Sequence, residues 1–329
     1  MRVLVTGGGG FLGQYIVEQL LQRGDTVRSI SRNRYGALDK LGVQQIEGDL
    51  RDQERLDQAC EDIDVVFHVA AIAGIWGPWE DFYGINTQGT LNLIESCRKK
   101  RVSKLVYSSS PSVIFDGTDQ QGIDESVRYP EKWLCHYQQT KAYAEQAVLE
   151  SNSEALLTCS LRPHLIWGPR DQHLIPRLID RARSGKLRIV GDGANLVDNV
   201  YVENAAAAHL QAAAALSPRS PVCGQAYFIS QGEPVNCWEW INEILERTGT
   251  PIVTRKISYQ VAWSLGLALE GVYKLLGWQS EPRMTRFLAA QLARHHYYKV
   301  DKAKKDFGYE PVISHKEGMT RLIASLKGK

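Results

Sequence analysis

The sequence predicts an α/β protein: a doubly wound parallel sheet followed by a smaller, mostly helical C-terminal part. Three observations carry that reading. Apolar strand-like runs alternate with helix-like segments of ten or more residues through the first half, and such crossovers are what parallel strands require. The first run, Val3–Thr6, leads directly into Gly7-Gly8-Gly9-Gly10-Phe11-Leu12-Gly13 and then into an amphipathic helix. From about residue 231 the alternation gives way to a largely helical pattern.

Taken in order, Arg2–Thr6 reads as a strand, Phe11–Arg23 as a helix, Thr26–Ser31 and Gln44–Glu47 as strands, and Asp64–Ala70 as a fourth strand. Asp81–Lys100 reads as one long helix, Lys104–Ser109 as a strand, Tyr137–Ser151 as a helix and Leu157–Pro163 as a strand. Glu203–Leu216 is an alanine-rich helix, and Ala226–Ile229 reads as the last strand of the main sheet. Residues 1–165 are thus expected to form a nucleotide-binding domain to which 191–230 returns, and 166–329 to supply the substrate-binding part. Sheets of this kind bind ligands at the carboxyl ends of their strands, where the glycine loop, Ser108-Ser109-Ser110 and Arg162-Pro163 all fall.

Composition narrows the partners. The net charge is +2 and no long basic run exists, so nucleic acid is not implied. Six scattered cysteines without C-x-x-C spacing read as reduced thiols of a cytoplasmic protein, neither a disulfide frame nor a zinc site. No metal is expected from His295-His296, whose adjacent side chains point different ways. Met1 leads straight into the first strand, which leaves no room for a signal peptide.

The glycine loop has the context a dinucleotide pyrophosphate needs, between a strand and a helix N-terminus, which assigns Gly7, Gly10, Phe11 and Leu12 to the cofactor. At the end of the second strand stands Ser31-Arg32-Asn33-Arg34, with no carboxylate to select the ribose hydroxyls of NAD. A guanidinium matches a 2′-phosphate, so Arg32 favours NADP(H), with NAD(H) as the alternative. Asp49-Leu50 is a candidate border of the adenine pocket, or else a helix N-cap, and Ala70 ends a strand where small residues let a cofactor approach.

Tyr137 and Lys141 stand four apart, on one face of a predicted helix. A lysine ammonium lowers a neighbouring phenol from its ordinary ~10, which would let Tyr137 give or take a proton near neutral pH, as hydride transfer at a carbonyl requires. Ser110 is the preferred hydroxyl to hold the substrate oxygen, with Ser109 and Ser112 as rivals. Trp76, Trp79 and Trp167 follow strand ends facing the cleft and suit a greasy substrate, and Arg170 and Arg177 are candidates to meet a substrate carboxylate. Val261–Leu269 is the most apolar stretch of the C-terminal part. It reads as a helix lining the cleft or a dimer face, or as a peripheral membrane or partner-enzyme contact, since about 20 apolar residues are needed to span.

The combination T-G-G-G-G-F-L-G, Y-S-S-S-P-S-V and Y-Q-Q-T-K resembles the extended short-chain dehydrogenase/reductase superfamily and its Rossmann-type domain, over essentially the whole chain. A-G-I-W-G (73–77), L-R-P-H-L-I-W-G-P-R-D-Q (161–172), V-G-D-G-A-N-L-V-D-N-V-Y-V-E-N (190–204), A-Y-F-I-S-Q-G-E-P (226–234) and D-F-G-Y-E-P (306–311) resemble its 3β-hydroxysteroid dehydrogenase/isomerase branch, most of all the bacterial 2-alkyl-3-oxoalkanoate reductases of olefin synthesis. The resemblance implies Tyr137 as acid/base, Lys141 as ribose binder, Ser110 as partner of the substrate oxygen, and Pro163 beside the nicotinamide carboxamide. It also implies that Asn86 supports the active-site helix and that the helices at 81–100 and 137–151 form a homodimer. Members of the steroid branch often carry a membrane-associated C-terminal segment, which Glu270 and Lys274 interrupt here. The leading expectation is NADPH-dependent reduction of the 3-oxo group of a long-chain 2-alkyl acid. Dehydrogenation of a 3β-hydroxysteroid or sterol, with or without decarboxylation, is the alternative. Epimerisation of a nucleotide sugar and a non-catalytic sensor stand behind both.

Overall fold

The computed structural model describes residues 1–327. The first half runs β1 (Arg2–Thr6), α1 (Phe11–Gln22), β2 (Thr26–Ser31), α2 (Gly36–Lys40), β3 (Gln44–Glu47), α3 (Gln53–Cys60) and β4 (Val65–His68). There follow α4 (Trp79–Phe82), a π turn at Tyr83–Gln88, α5 (Gly89–Lys99), β5 (Lys104–Ser108), β6 (Gln120–Ile123), α6 (His136–Glu150) and β7 (Leu157–Pro163). The second half runs β8 (Ile166–Trp167), α7 (Leu174–Arg183), β9 (Ile189–Val190), β10 (Leu196–Val197), β11 (Val200–Tyr201), α8 (Val202–Ala215) and β12 (Gln225–Ile229). It closes with β13 (Val235–Asn236), α9 (Cys237–Arg247), β14 (Lys256–Ile257), α10 (Tyr259–Leu275), α11 (Arg286–Ala293), β15 (His296–Tyr298), α12 (Asp301–Phe307) and α13 (His315–Lys327).

Seven strands form one sheet in the order β12-β7-β5-β4-β1-β2-β3, every pair parallel. The chain moves outward from β1 to β3 and then returns to place β4 on the other side of β1. That reversal opens a crevice above the carboxyl ends of β1 and β4. The strands read as unbroken apolar runs because both faces are covered. Val3, Val5, Val65 and Phe67 point into the layer of α1 and α8, whereas Leu4, Val66 and Leu105 point into that of α3, α5 and α6. The alanines of α8 are largely buried, and their small side chains let the helix close on the sheet.

Two elements differ from expectation. β4 ends at His68 rather than Ala70, because the amides of Val69 and Ala70 both donate to Thr6 Oγ1 at 3.1 Å and leave the ladder. The long helix begins at Trp79 and widens into the π turn at Tyr83–Gln88. Of residues 191–230, α8 and β12 join the main sheet and its helix layer, while β10 pairs in a second sheet, β13-β10-β15-β6. β6 crosses to that sheet from the first half, so the two parts share a sheet. α10 packs on α11 through Ala262, Gly266 and Glu270. At Gly266 a Cβ would fall 2.6 Å from the Thr285 carbonyl carbon, so the approach needs glycine. Among the described residues no helix is long and apolar enough to cross a membrane.

Candidate active site

The glycine loop folds over the end of β1 because nothing bulkier fits. Gly7 has φ +70°, and a Cβ on it would meet Ala70 Cα at 3.0 Å; one on Gly13 would meet Gly7 O at 2.2 Å. Gly10 caps α1 without a side-chain bond, and the first turn carries no acid. The amides of Phe11, Leu12 and Gly13 make no hydrogen bond among the described residues, which leaves a helix N-terminus open to an anion. The loop opens on a cleft of about 470 Å³.

Arg32 lines that cleft and forms no ion pair among the described residues, whereas Arg34 is engaged by Asp39 at 2.7 Å. Leu50 and Ala70 line the cleft where a cofactor was expected to lie, and so do Pro163 and Leu165. Asp49 does not line it. Its carboxylate takes the Arg51 guanidinium at 2.8 Å, and the cap of α3 is Asp52.

Tyr137, Lys141 and Ser110 converge on the same cleft. The Gln138 side chain accepts from Leu134 N at 2.9 Å and Cys135 N at 3.2 Å, and donates to Ser112 O at 3.0 Å and Phe115 O at 2.9 Å. This clamps the start of α6 to the turn at 111–114, which Ser110 caps. The Ser110 hydroxyl thereby comes close to the Tyr137 phenol on the wall of the same cleft. Ser112 holds the clamp through its carbonyl and lines neither this cleft nor the cavity beside it; its hydroxyl is buried without a partner. Asn86, within the π turn, holds Ile72 N at 2.8 Å and donates to Thr140 Oγ1 at 3.2 Å, tying the loop after β4 to α6. The extra residue of the π turn is what brings Asn86 and Thr87 onto α6 together.

Electrostatics depart from the simple Tyr–Lys expectation. Burial pushes the Tyr137 phenol up to about 12, and the Ser110 hydrogen bond opposes that only in part. Burial pushes the Lys141 ammonium down to about 7, with Glu145 one helical turn further on resisting. Lys141 Nζ donates to Ser108 O at 2.6 Å and sits 4.1 Å from the centre of the Tyr107 ring. In the cleft as it stands, Lys141 is thus spent on Ser108 rather than on the phenol. Glu145 is a residue that sequence reasoning missed. Burial alone would raise its carboxyl, but the Arg162 charge and hydrogen bonds outweigh that and hold it below its ordinary value. Arg162 Nη2 lies 2.6 Å from Glu145 Oε1, which also accepts from Tyr129 at 2.7 Å. The spacing Tyr137, Lys141, Glu145 was the available signal: one stripe on one helix face.

A second cavity, of about 420 Å³, lies against the start of α6. Trp76 lines it with Trp133, Leu134, Tyr273 and Trp278. Trp167 does not reach either cavity. It is fully buried with Nε1 on Asn199 Oδ1 at 2.7 Å, packed on Tyr201 and Trp240. Arg170 is likewise diverted: with φ +68° it lies 3.8 Å over the Tyr15 ring and pairs with Glu18 at 2.6 Å. Arg177 pairs with Glu281.

Residues 4–258 match the pattern of the 3-beta hydroxysteroid dehydrogenase/isomerase family. The chain belongs to this family. It is an NAD(P)-dependent oxidoreductase of the extended short-chain type. A 2-alkyl-3-oxoalkanoate reductase of Stenotrophomonas maltophilia is 47% identical over 328 residues, 99% of each chain. A decarboxylating sterol-4-alpha-carboxylate 3-dehydrogenase of Mus musculus is 39% identical over 333 residues, covering 98% of this chain and 90% of the other. Among solved structures, a UDP-glucose 4-epimerase of Thermus thermophilus in complex with NAD superposes with TM-score 0.75 at 27% identity, covering 100% of this chain and 99% of that one.

Proposed function

We propose that the protein reduces the 3-oxo group of a long-chain 2-alkyl-3-oxo acid at the expense of NADPH. The observation that carries this is the convergence of Tyr137, Ser110 and Lys141 on the glycine-lined cleft, with an aromatic cavity directly beside the same helix start. The Stenotrophomonas relative, matched end to end, supports the substrate class.

The residues fit a nicotinamide dinucleotide: free amides at the start of α1, a close-packed glycine turn, and an unpaired guanidinium at the end of β2. Such a cofactor supplies the hydride. Phe11 and Leu12 amides would hold its diphosphate, Arg32 a 2′-phosphate, Lys141 the nicotinamide ribose hydroxyls, and Pro163 would flank the nicotinamide. Ser110 donates to the ketone oxygen and orients it. Tyr137 keeps its proton until the carbonyl oxygen becomes an alkoxide and then gives it up, which a phenol held at about 12 does readily to a far stronger base. The product is the secondary alcohol. The mouse relative favours a second reading, oxidation of a 3β-hydroxysterol that bears a neighbouring carboxylate. NADPH consumption against 2-alkyl-3-oxo acids, 3-ketosteroids and UDP-sugars separates the readings: turnover confined to ketosteroids would replace the first by the second.

A homodimer through α5 and α6 is part of this reading, supported by the exposed Leu91 and Tyr143 on those helices. The outer face of α10 exposes Val261, Leu265, Val272 and Leu275, and we assign it to reversible contact with a lipid surface. Failure to co-sediment with phospholipid vesicles would remove that assignment.

A further inference from the structure

We propose that the second cavity is a hydrocarbon-chain subsite of the active site, closed by Trp76 against Trp278, and that this closure sets the chain length the enzyme accepts. The inference rests on the reductase reading above and goes beyond it by naming where a chain lies and what limits it.

Position comes first. Cys135, His136 and Gln139 wall the cavity, and Tyr137, between them on α6, faces the cofactor cleft. The loop after β4 serves both spaces: Ala71–Ala73 line the cleft and Ile75–Pro78 line the cavity. A ketone held at Tyr137 is thus flanked by residues adjacent in the chain to those that wall the cavity, although the two spaces share no lining residue.

Chemistry decides what the cavity takes. Ile75, Trp76, Trp133, Leu134, Tyr273 and Trp278 form its apolar walls, with polar and charged residues making up the rest. Three of its polar side chains are engaged by neighbouring protein groups, whereas Lys274 and Gln279 also line it and make no side-chain hydrogen bond or ion pair among the described residues. Glu270 accepts from Arg286 N at 2.6 Å and from Arg286 Nε at 2.8 Å. His136 Nδ1 is 3.1 Å from Gly77 O, and Gln139 donates to Tyr143 at 2.8 Å. An alkyl chain gains apolar burial against the aromatic walls. The volume of about 420 Å³ suits a ligand segment of that kind.

The closure is a chain of three aromatic rings. Trp76 Nε1 donates to Trp278 O at 3.0 Å, joining segments 202 residues apart. Trp76 meets Tyr273 edge-on at 6.1 Å, and Tyr273 meets Trp278 edge-on at 4.9 Å. Each tryptophan adjoins a glycine in the left-handed region, Gly77 at φ +146° and Gly277 at φ +65°. Two glycine turns holding one exposed hydrogen bond make a wall that parts without disturbing the sheet.

The test uses the full-length protein, a short 2-methyl-3-oxo acid and a long-chain 2-alkyl-3-oxo acid. Ile75→Trp, which fills the cavity, should lower the long-to-short ratio of kcat/KM by about tenfold or more, through KM, because several methylenes lose their burial. Trp76→Phe, which frees the wall, should shift the preferred chain length upward. Binding is read separately by quenching of tryptophan emission with a bromine-labelled long-chain fatty acid, which Trp76→Phe, Trp133→Phe and Trp278→Phe combined should largely abolish. Unchanged ratios in both single variants, or quenching that survives the triple variant intact, would overturn the subsite. Quenching that disappears in the triple variant, with wild-type protein inert toward every 2-alkyl-3-oxo acid, would keep the subsite and reject the reductase reading.

Discussion

The cofactor cleft and the aromatic cavity adjoin at the start of α6, yet they are built in opposite ways. The cleft is assembled from strand ends, each carrying a short local motif: glycines after β1, Arg32 after β2, serines after β5, Pro163 at the end of β7. The cavity is assembled from Trp76, Trp133 and Trp278, which no local pattern relates and which come together only where residues of α10 and of the start of α6 line one space. A sheet with fixed topology makes the first kind of site repeatable, since each strand end has one place to go. The second kind depends on side-chain packing between parts of the chain that are free to vary.

That contrast can be broken at several points. Tyr137→Phe removes the proposed proton donor from the cleft side alone: turnover should fall by about 10²–10⁴-fold, while the dissociation constant of NADPH, read by fluorescence, stays close to wild type. A variant that still turned over would dissolve the distinction between a chemical cleft and a binding cavity. Glu145→Gln strikes the support behind Lys141. It leaves Arg162 buried and without its charge partner, so urea unfolding should show a loss of about 3–5 kcal/mol. A negligible loss would mean that α6 is held by its clamp at Gln138 alone. Arg32→Asp tests whether the end of β2 reads a phosphate. NADPH binding should weaken by about 1.5–3 kcal/mol and NADH binding by much less; equal losses would return the choice of cofactor to the unselective alternative.

The last effect concerns Lys141. Its folded value of about 7 lies below the unfolded value of about 10.4, so between these limits the unfolded chain holds a proton that the folded protein has shed. The penalty for burying the ammonium is complete below pH 7 and is relieved as pH rises toward the unfolded value. Lys141→Met should therefore gain stability over wild type at low pH, and the gain should shrink by about 1.4 kcal/mol per pH unit above 7. A difference independent of pH would show that Lys141 does not titrate in that window.

Much of the cleft was legible because its signals are local. Gly7, Tyr137, Lys141 and Arg32 each carry their meaning within a few residues of a strand or helix boundary. The proton energetics were not legible. A Tyr–Lys pair four residues apart suggests a lowered phenol, but burial acts on both groups, and Lys141 finds Ser108 O before it finds the phenol. The tryptophans show the same limit. Trp76 and Trp167 both follow a strand end, and sequence treats them alike. The short pairing of β8 with β11 turns Trp167 inward onto Asn199, whereas the turn at Gly77 leaves Trp76 in the cavity wall.

What the sequence determined by itself was the seven strands of the main sheet, the glycine turn, and the face shared by Tyr137 and Lys141. These follow from backbone sterics and the helical repeat, which act over a few residues. Which serine meets the phenol, which carboxylate steadies Lys141, and which tryptophans wall the cavity were settled only in three dimensions. Those choices turn on burial and on hydrogen-bond partners supplied by distant segments, and neither quantity exists for a residue until the rest of the chain has closed around it.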